Sequence, residues 1–241
     1  MQSFTRRAKK RILKVLNGAC WPWYLARYDA TIRKGEVPSD ELLKSLVYHW
    51  GNSGWSADHR YLKRLIEETL NSNGKLVLEC GSGLSTLLLG KICDLRSHKL
   101  FALEHHRDWE SRMNKALQRA RVRNAIVCHC PIKNYGDFDW YDISGCRSNL
   151  EKGIDLVICD GPPGNTRGGR TGLPYVLDSN FRPGCLVLAD DAHRPAEQSM
   201  IEQWLADFSC RVDEARSDAN FKALIFQISP EKVDETQAVR P

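Results

Sequence analysis

The 241-residue chain contains no apolar stretch approaching the ~18 residues of a membrane span, and no apolar leader core follows Met1. Internal repeats and low-complexity blocks are missing too, which excludes solenoids and arrays. Nine cysteines are present (20, 80, 93, 128, 130, 146, 159, 185 and 210), but no CxxC pair, and several fall in predicted strands. An odd set without metal-type spacing argues for reduced, mostly buried thiols rather than a disulfide framework or a zinc site, and hence for a cytoplasmic setting. Acid is scarce at one end: residues 1–35 hold nine Lys or Arg against Asp29 alone, a charge of +8, whereas the other 206 residues hold 26 against 29, a charge of −3. The basic segment interleaves Arg6, Arg7, Lys9, Lys10, Arg11 and Lys14 with Ile12, Leu13, Val15 and Leu16, and Trp21, Trp23 and Tyr24 follow. Such a helix suits packing on a domain, contact with an anionic membrane surface through residues 1–24, or contact with RNA.

What is present begins with "LVLECGSGLSTLLLG", residues 76–90. A short apolar run suits a buried parallel strand, the following leucines suit a helix, and Gly81 and Gly83 between them permit a tight turn and close backbone approach by a ligand. The amides at the start of such a helix point into the same space. A third glycine is lacking: Thr86 stands where a dinucleotide fingerprint has one, and Glu79, two residues before Gly81, would repel a pyrophosphate. A carboxylate there suits a cationic ligand instead.

Elsewhere the pattern alternates. "PSDELLKSLVYHWG" predicts a helix capped by Ser39 and stopped at Gly51, and a second helix is expected over Asp58 to Leu70. From Gly74 onward strands are expected at 76–80, in "KLFALEHH", "AIVCH", "IDLVICD", "CLVLADD", "CRVDEAR" and "FKALIFQIS", with helices between them, the last two strands forming a hairpin. The fold class predicted is α/β: a Rossmann-like, doubly wound, mainly parallel seven-stranded sheet with helices on both faces and a C-terminal antiparallel hairpin. Three regions are expected: a basic, partly helical extension over 1–38, the Rossmann-like domain over 39–229 and a loose tail over 230–241.

Ligands of such sheets bind beyond the carboxyl ends of the strands, and Glu79, Glu104, Asp160, Asp190 and Asp191 all fall at such ends. Glu104, 23 residues after Gly81, is spaced to accept hydrogen bonds from ribose hydroxyls. In "DGPPGNTRGGR" the prolines are expected to stiffen a loop that the glycines keep open, with Arg167 and Arg170 available to clamp an anionic group on a substrate. Asp160, Asp190 and Asp191 could gather oxygen ligands around Mg²⁺ or another divalent cation. Within "NYGDFDWYDISGC", Tyr135, Phe138, Trp140 and Tyr141 are candidates to wall a substrate pocket, or alternatively to cover the sheet edge.

Taken in order, "ECGSGLST", "LEHHRDW", "DLVICDGPPG" and "LADDAHR" resemble the class I S-adenosylmethionine-dependent methyltransferases over about residues 74–228, closest to a subgroup with E-x-G-x-G-x-S-T, E-H-x-x-x-W, D-G-P-P-G and D-D-A-x-R loops. The resemblance implies that Glu79, Gly81, Ser82 and Gly83 surround the methionine part of the cofactor with Ser85 and Thr86 nearby, that Glu104 holds the ribose, and that His105 and the residues near Cys130 adjoin the adenine. Trp109 would pack its helix, and Asp160 would project toward the reactive sulfur. The acidic cluster is similar to the metal site of catechol O-methyltransferase-like enzymes, except that Pro163 stands where they carry a lysine. The reaction favoured is O-methylation of a small or glycan-like hydroxyl, with Asp160, Asp191 or His193 as the base, and N-methylation stays open. An RNA methyltransferase, a nicotinamide-dependent oxidoreductase and a non-catalytic cofactor-binding module stay open as alternatives. Nucleic acid is the less favoured partner, because the acidic core offers no basic stripe, and nothing bears on the oligomeric state.

Overall fold

The computed structural model describes residues 20–51, 57–146, 150 and 153–227. The basic stretch before Cys20 and the expected tail over 230–241 therefore lie outside the described residues.

Among the described residues, three helices precede the sheet. Helix α1 covers 20–33, α2 is Asp40–Trp50 and α3 is His59–Asn71. Ser39 caps α2 by accepting a hydrogen bond from the Leu42 amide at 3.3 Å, and Gly51 ends it with φ of 80°, a left-handed conformation suited to glycine. Asp58 caps α3.

From there strands and helices alternate: β1 (Leu76–Cys80), α4 (Leu84–Arg96), β2 (Lys99–Glu104), α5 (Arg107–Arg119), β3 (Ala125–His129), β4 (Ile132–Asn134), β5 (Asp139–Tyr141), β6 (Ile154–Cys159), α6 (Gly172–Leu177), β7 (Phe181–Ala189), α7 (Pro195–Asp207), β8 (Cys210–Val212) and β9 (Lys222–Phe226). Seven strands form one sheet in the order β3-β2-β1-β6-β7-β9-β8. The strands from β3 to β7 run parallel, whereas β9 is antiparallel to both β7 and β8. The expected doubly wound sheet is therefore observed, and its terminal hairpin is inserted, the later strand lying inside the earlier one.

Alternating side chains divide the core. Val77, Leu100, Ala102, Leu156, Ile158 and Leu188 join α1 to α5 on one face, while Leu78, Cys80, Leu103, Val157, Cys159 and Val187 join Trp140, Leu173, Met200 and Trp204 on the other. Helix α1 belongs to the first layer: Tyr28 and Ile32 are buried in it, and the Tyr28 hydroxyl donates to the Leu88 carbonyl of α4 at 2.8 Å. Tyr61, near the start of α3, donates to the Leu188 carbonyl near the end of β7 at 2.7 Å, so α3 begins at the strand-tip end of the molecule. Trp21 of α1 packs on Trp50 of α2 at 5.6 Å between ring centroids.

One connection is more ordered than expected. The segment between β3 and β6 contains an antiparallel ribbon, β4 with β5, and α6 follows in the stretch after the proline loop. Both elements are too short for a periodicity to show.

Candidate active site

Strand register sets the site. Leu103, Cys80, Cys159 and Ala189 are paired partners across β2, β1, β6 and β7. The residue after each, Glu104, Gly81, Asp160 and Asp190, therefore emerges on one line at the tips of the sheet. Backbone bonds carry the row onward: Gly81 N–H donates to the Leu103 carbonyl at 2.9 Å, Asp160 N–H to Cys80 at 3.2 Å, and Asp190 N–H to Cys159 at 3.1 Å. The strand order reverses between β1 and β6, which is where sheets of this type open a crevice.

On the β1 side, the turn Gly81–Gly83 is braced from three directions. Gly81 has φ of 95°, a conformation that strains other residues. Gly83 N–H donates to Thr86 Oγ1 at 2.8 Å, and the Trp109 indole N–H donates to the Ser82 carbonyl at 2.9 Å. Trp109 thus does more than pack its helix: it holds the loop, a role its sequence position does not reveal. The Ser82 hydroxyl donates to Glu104 Oε2 at 2.7 Å, and Glu104 Oε1 accepts from the His106 amide at 2.8 Å. His105 Nδ1 lies 3.2 Å from the same Oε1. A methyl group on Gly83 would meet nothing within 4 Å, so the turn faces open space.

Glu79 is buried at the end of β1. Ser85 donates to its Oε1, but its Oε2 has no partner. Loss of water pushes the Glu79 carboxyl up to about 7, against the opposing hydrogen bond from Ser85. A buried carboxylate oxygen without a donor costs free energy until a donor arrives. The residues present thus fit S-adenosylmethionine: a free acceptor for its ammonium, an open glycine turn and a carboxylate at the neighbouring strand tip.

On the β6 side, Asp160, Asp190 and Asp191 offer oxygen atoms within 4.8 Å of one another. Asp191 has φ of 60° and is held by its amide, which donates to Asp190 Oδ1 at 2.9 Å. Arg170, only 4% exposed, fills the centre of this group: Nη2 reaches Asp160 Oδ1 at 3.0 Å and Asp191 Oδ2 at 2.8 Å, and Nη1 donates to the Asp190 carbonyl at 2.8 Å. Arg194, the last residue of the D-D-A-x-R loop, adds a second contact to Asp191 Oδ2 at 2.8 Å. Burial pushes Asp160 and Asp190 upward, with Arg170 pulling the other way.

Several expectations change here. Arg170 is an internal ion-pair partner rather than a clamp for a substrate, since its guanidinium is buried and spent on the strand tips. Arg170 bonds one oxygen of Asp160 and one of Asp191, so a divalent cation at this trio would meet a resident positive charge. Arg167 instead pins the β4–β5 ribbon, donating to the Gly136 carbonyl at 2.6 Å and to Asp139 at 2.7 Å. Trp140 and Tyr141 are fully buried in the core, so neither presents a face to a substrate. The glycines of the proline loop divide: a methyl group on Gly168 would stand 2.7 Å from Phe138, whereas one on Gly169 would meet nothing within 4 Å. His193 is exposed on the turn between β7 and α7. Tyr135 and Phe138 stack at 5.6 Å, and Phe138 meets the exposed Tyr175 at 5.5 Å, which leaves these three as the accessible aromatic edge. Two surface hollows, one lined by Asp40, Lys63 and Phe221 and one by Asp94, Arg121 and Arg123, include no residue of the tip row.

No family model and no curated protein matches the sequence. Solved structures do resemble the fold. The methyltransferase PaMTH1 of Podospora anserina, bound to S-adenosylhomocysteine, is 14% identical with a TM-score of 0.58, covering 80% of this chain and 89% of its own. An O-methyltransferase of Bacillus cereus, also with S-adenosylhomocysteine, is 12% identical with a TM-score of 0.53, over 79% and 93%. The O-methyltransferase TomG of Streptomyces achromogenes, involved in tomaymycin synthesis and bound to S-adenosylmethionine, is 14% identical with a TM-score of 0.52, over 80% and 92%. At these identities the likeness establishes a shared fold: the chain has the Rossmann-like architecture of these three structures.

Proposed function

We propose that this chain is an S-adenosylmethionine-dependent methyltransferase that acts on a hydroxyl of a small-molecule or glycan-like acceptor. One observation carries the reading: Glu79 and Glu104 flank the open Gly81–Gly83 turn, the first with a buried free oxygen, the second anchored by Ser82 and His106. A cationic amino-acid end and a ribose are the groups that this pair of acids suits, and a pyrophosphate is not. The fold shared with enzymes crystallised with S-adenosylmethionine or its product supports the same cofactor.

The bound cofactor supplies a methyl group on a positively charged sulfur. Glu79, Gly81, Ser82, Gly83, Ser85, Thr86, Glu104 and His105 bind and orient it under this reading, so that the acceptor need only be aligned and kept from water. Asp160 stands in the middle of the tip row and has a raised affinity for protons, which suits it to take the hydroxyl proton. Asp191, already shared by two arginines, suits the orientation of Asp160 better than proton transfer. His193, at the rim, is the alternative proton acceptor.

Isothermal titration distinguishes the cofactor classes. S-adenosylmethionine is expected to bind and NADH not, and Glu104→Ala is expected to weaken the former by about 1.5–3 kcal/mol, the worth of a charged hydrogen-bonded contact. Unchanged affinity in that variant, or a preference for NADH, would refute the reading.

We also infer contact between the N-terminal region and an anionic membrane surface. The support is local: the +8 charge of residues 1–35 continues into α1, where Trp23 is 55% exposed with Arg27 stacked 4.9 Å from its ring centroid, and Tyr48 of the neighbouring α2 is 58% exposed.

A further inference from the structure

The cluster at the tips of β6 and β7 has a cation built into it. Arg170 reaches it from the far side of the proline loop, ten residues after Asp160. Its guanidinium touches two of the three carboxylates and the carbonyls that frame them, including Cys159 at 3.4 Å, leaving only Nε without a partner. The fork geometry of guanidinium matches planar oxygen pairs, and its charge persists at any physiological pH. A divalent cation needs six or more oxygens at short range, and it would have to enter against a positive group already bonded to Asp160 and Asp191. Arg194 on Asp191 adds a second like charge at the entrance.

We propose that Arg170 is a positioning residue that takes the place of a divalent cation, holding Asp160 and Asp191 at the strand tips so that this site works without metal. Asp160 is thereby fixed at its place in the tip row, while Asp191 keeps its left-handed backbone through the bonds on its side chain and amide. The inference rests on the proposed reading only for its consequence for turnover. Its own content, the exclusion of a cation by a resident guanidinium, is tested by ion binding alone.

The experiment is Mn²⁺ titration of the full-length chain followed by electron paramagnetic resonance, with fold monitored by circular dichroism. The wild type is expected to leave the free Mn²⁺ signal unchanged at equimolar and tenfold excess of ion. Arg170→Ala is expected to take up one Mn²⁺ per chain, with affinity about tenfold or more above that of the wild type, once three carboxylates face one another with only the half-exposed Arg194 as counter-charge. Adding Asp191→Asn to that variant is expected to abolish the uptake, and Arg170→Lys, which keeps a cation there, is expected to behave as the wild type. A merely structural arginine would yield no gain of ion binding. Stoichiometric Mn²⁺ binding by the wild type that disappears in Asp191→Asn overturns the proposal, and so does a folded Arg170→Ala that fails to bind. Should Arg170→Ala not fold, the wild-type and Arg170→Lys titrations decide the matter. Failure to bind S-adenosylmethionine would instead strike the proposed function and leave this result standing.

Discussion

Glu79 illustrates how a single side chain links burial to pH. Burial lifts its folded-state value to about 7 from an ordinary 4.5, so the folded chain holds a proton that the unfolded chain has released. A raised value means that the stabilisation is complete below the unfolded value and is lost as pH climbs through the folded one. Stability is therefore expected to decline between about pH 4.5 and 7, by on the order of 3 kcal/mol from this residue, and then to level off. Urea unfolding at stepped pH, wild type against Glu79→Gln, measures the difference. A cationic ligand beside the carboxylate acts in the opposite sense, so S-adenosylmethionine affinity is expected to tighten up to about pH 7 and the slope to vanish in Glu79→Gln. The acids themselves were legible in the sequence because each ends an apolar run. Their partnerships were less so: Trp109 and Arg194 stand inside the quoted motifs and Arg170 was expected to clamp a substrate, but which atoms they bond follows from the loop and helix geometry.

At the scale of elements, the helices and strands followed from caps and periodicity. Ser39 and Gly51 mark α2 as expected, and the strands of the sheet lie within the expected segments except β7, which begins at Phe181, ahead of "CLVLADD". The ribbon between β3 and β6 did not follow, since its alternation covers too few residues, and Arg167 of the proline loop holds it through the Gly136 carbonyl and Asp139. The aromatic residues there were read with two uses, and burial separates them: Trp140 and Tyr141 are core, Tyr135 and Phe138 are edge. Close packing of this kind is testable at α4, where a methyl group on Gly90 would stand 2.8 Å from Val122 and 2.9 Å from Ala125. Gly90→Ala is expected to cost about 1–2 kcal/mol in urea unfolding, overpacking outweighing the helical preference of alanine. A stabilised variant would show that the α4 and β3 layers give way more easily than their contact implies.

For the whole molecule, the division between extension and domain is the question that packing informs. Residues 1–38 were read as an appendage, yet Tyr28 and Ile32 lie in the main core and Lys91 of α4 pairs with Asp29 at 2.9 Å. A chain beginning at residue 36 is expected to lose several °C or more in melting temperature, because it uncovers apolar surface on α4. A chain beginning at residue 20 is expected to melt like the full chain while losing sedimentation with vesicles rich in phosphatidylserine. Equal vesicle binding by the two forms would remove the membrane reading, and an unchanged melting temperature in the shorter chain would make α1 dispensable.

The position of β9 bears on how the chain comes off the ribosome. It lies between β7 and β8 although, among the described strands, it is the last to be made. Until it inserts, the outer edge of β7 is bare, and β7 carries Asp190 and Asp191 at its tip. A nascent chain halted before residue 222 would thus display an unpaired hydrophobic strand beside a half-formed crevice, a species inclined to stick to its neighbours.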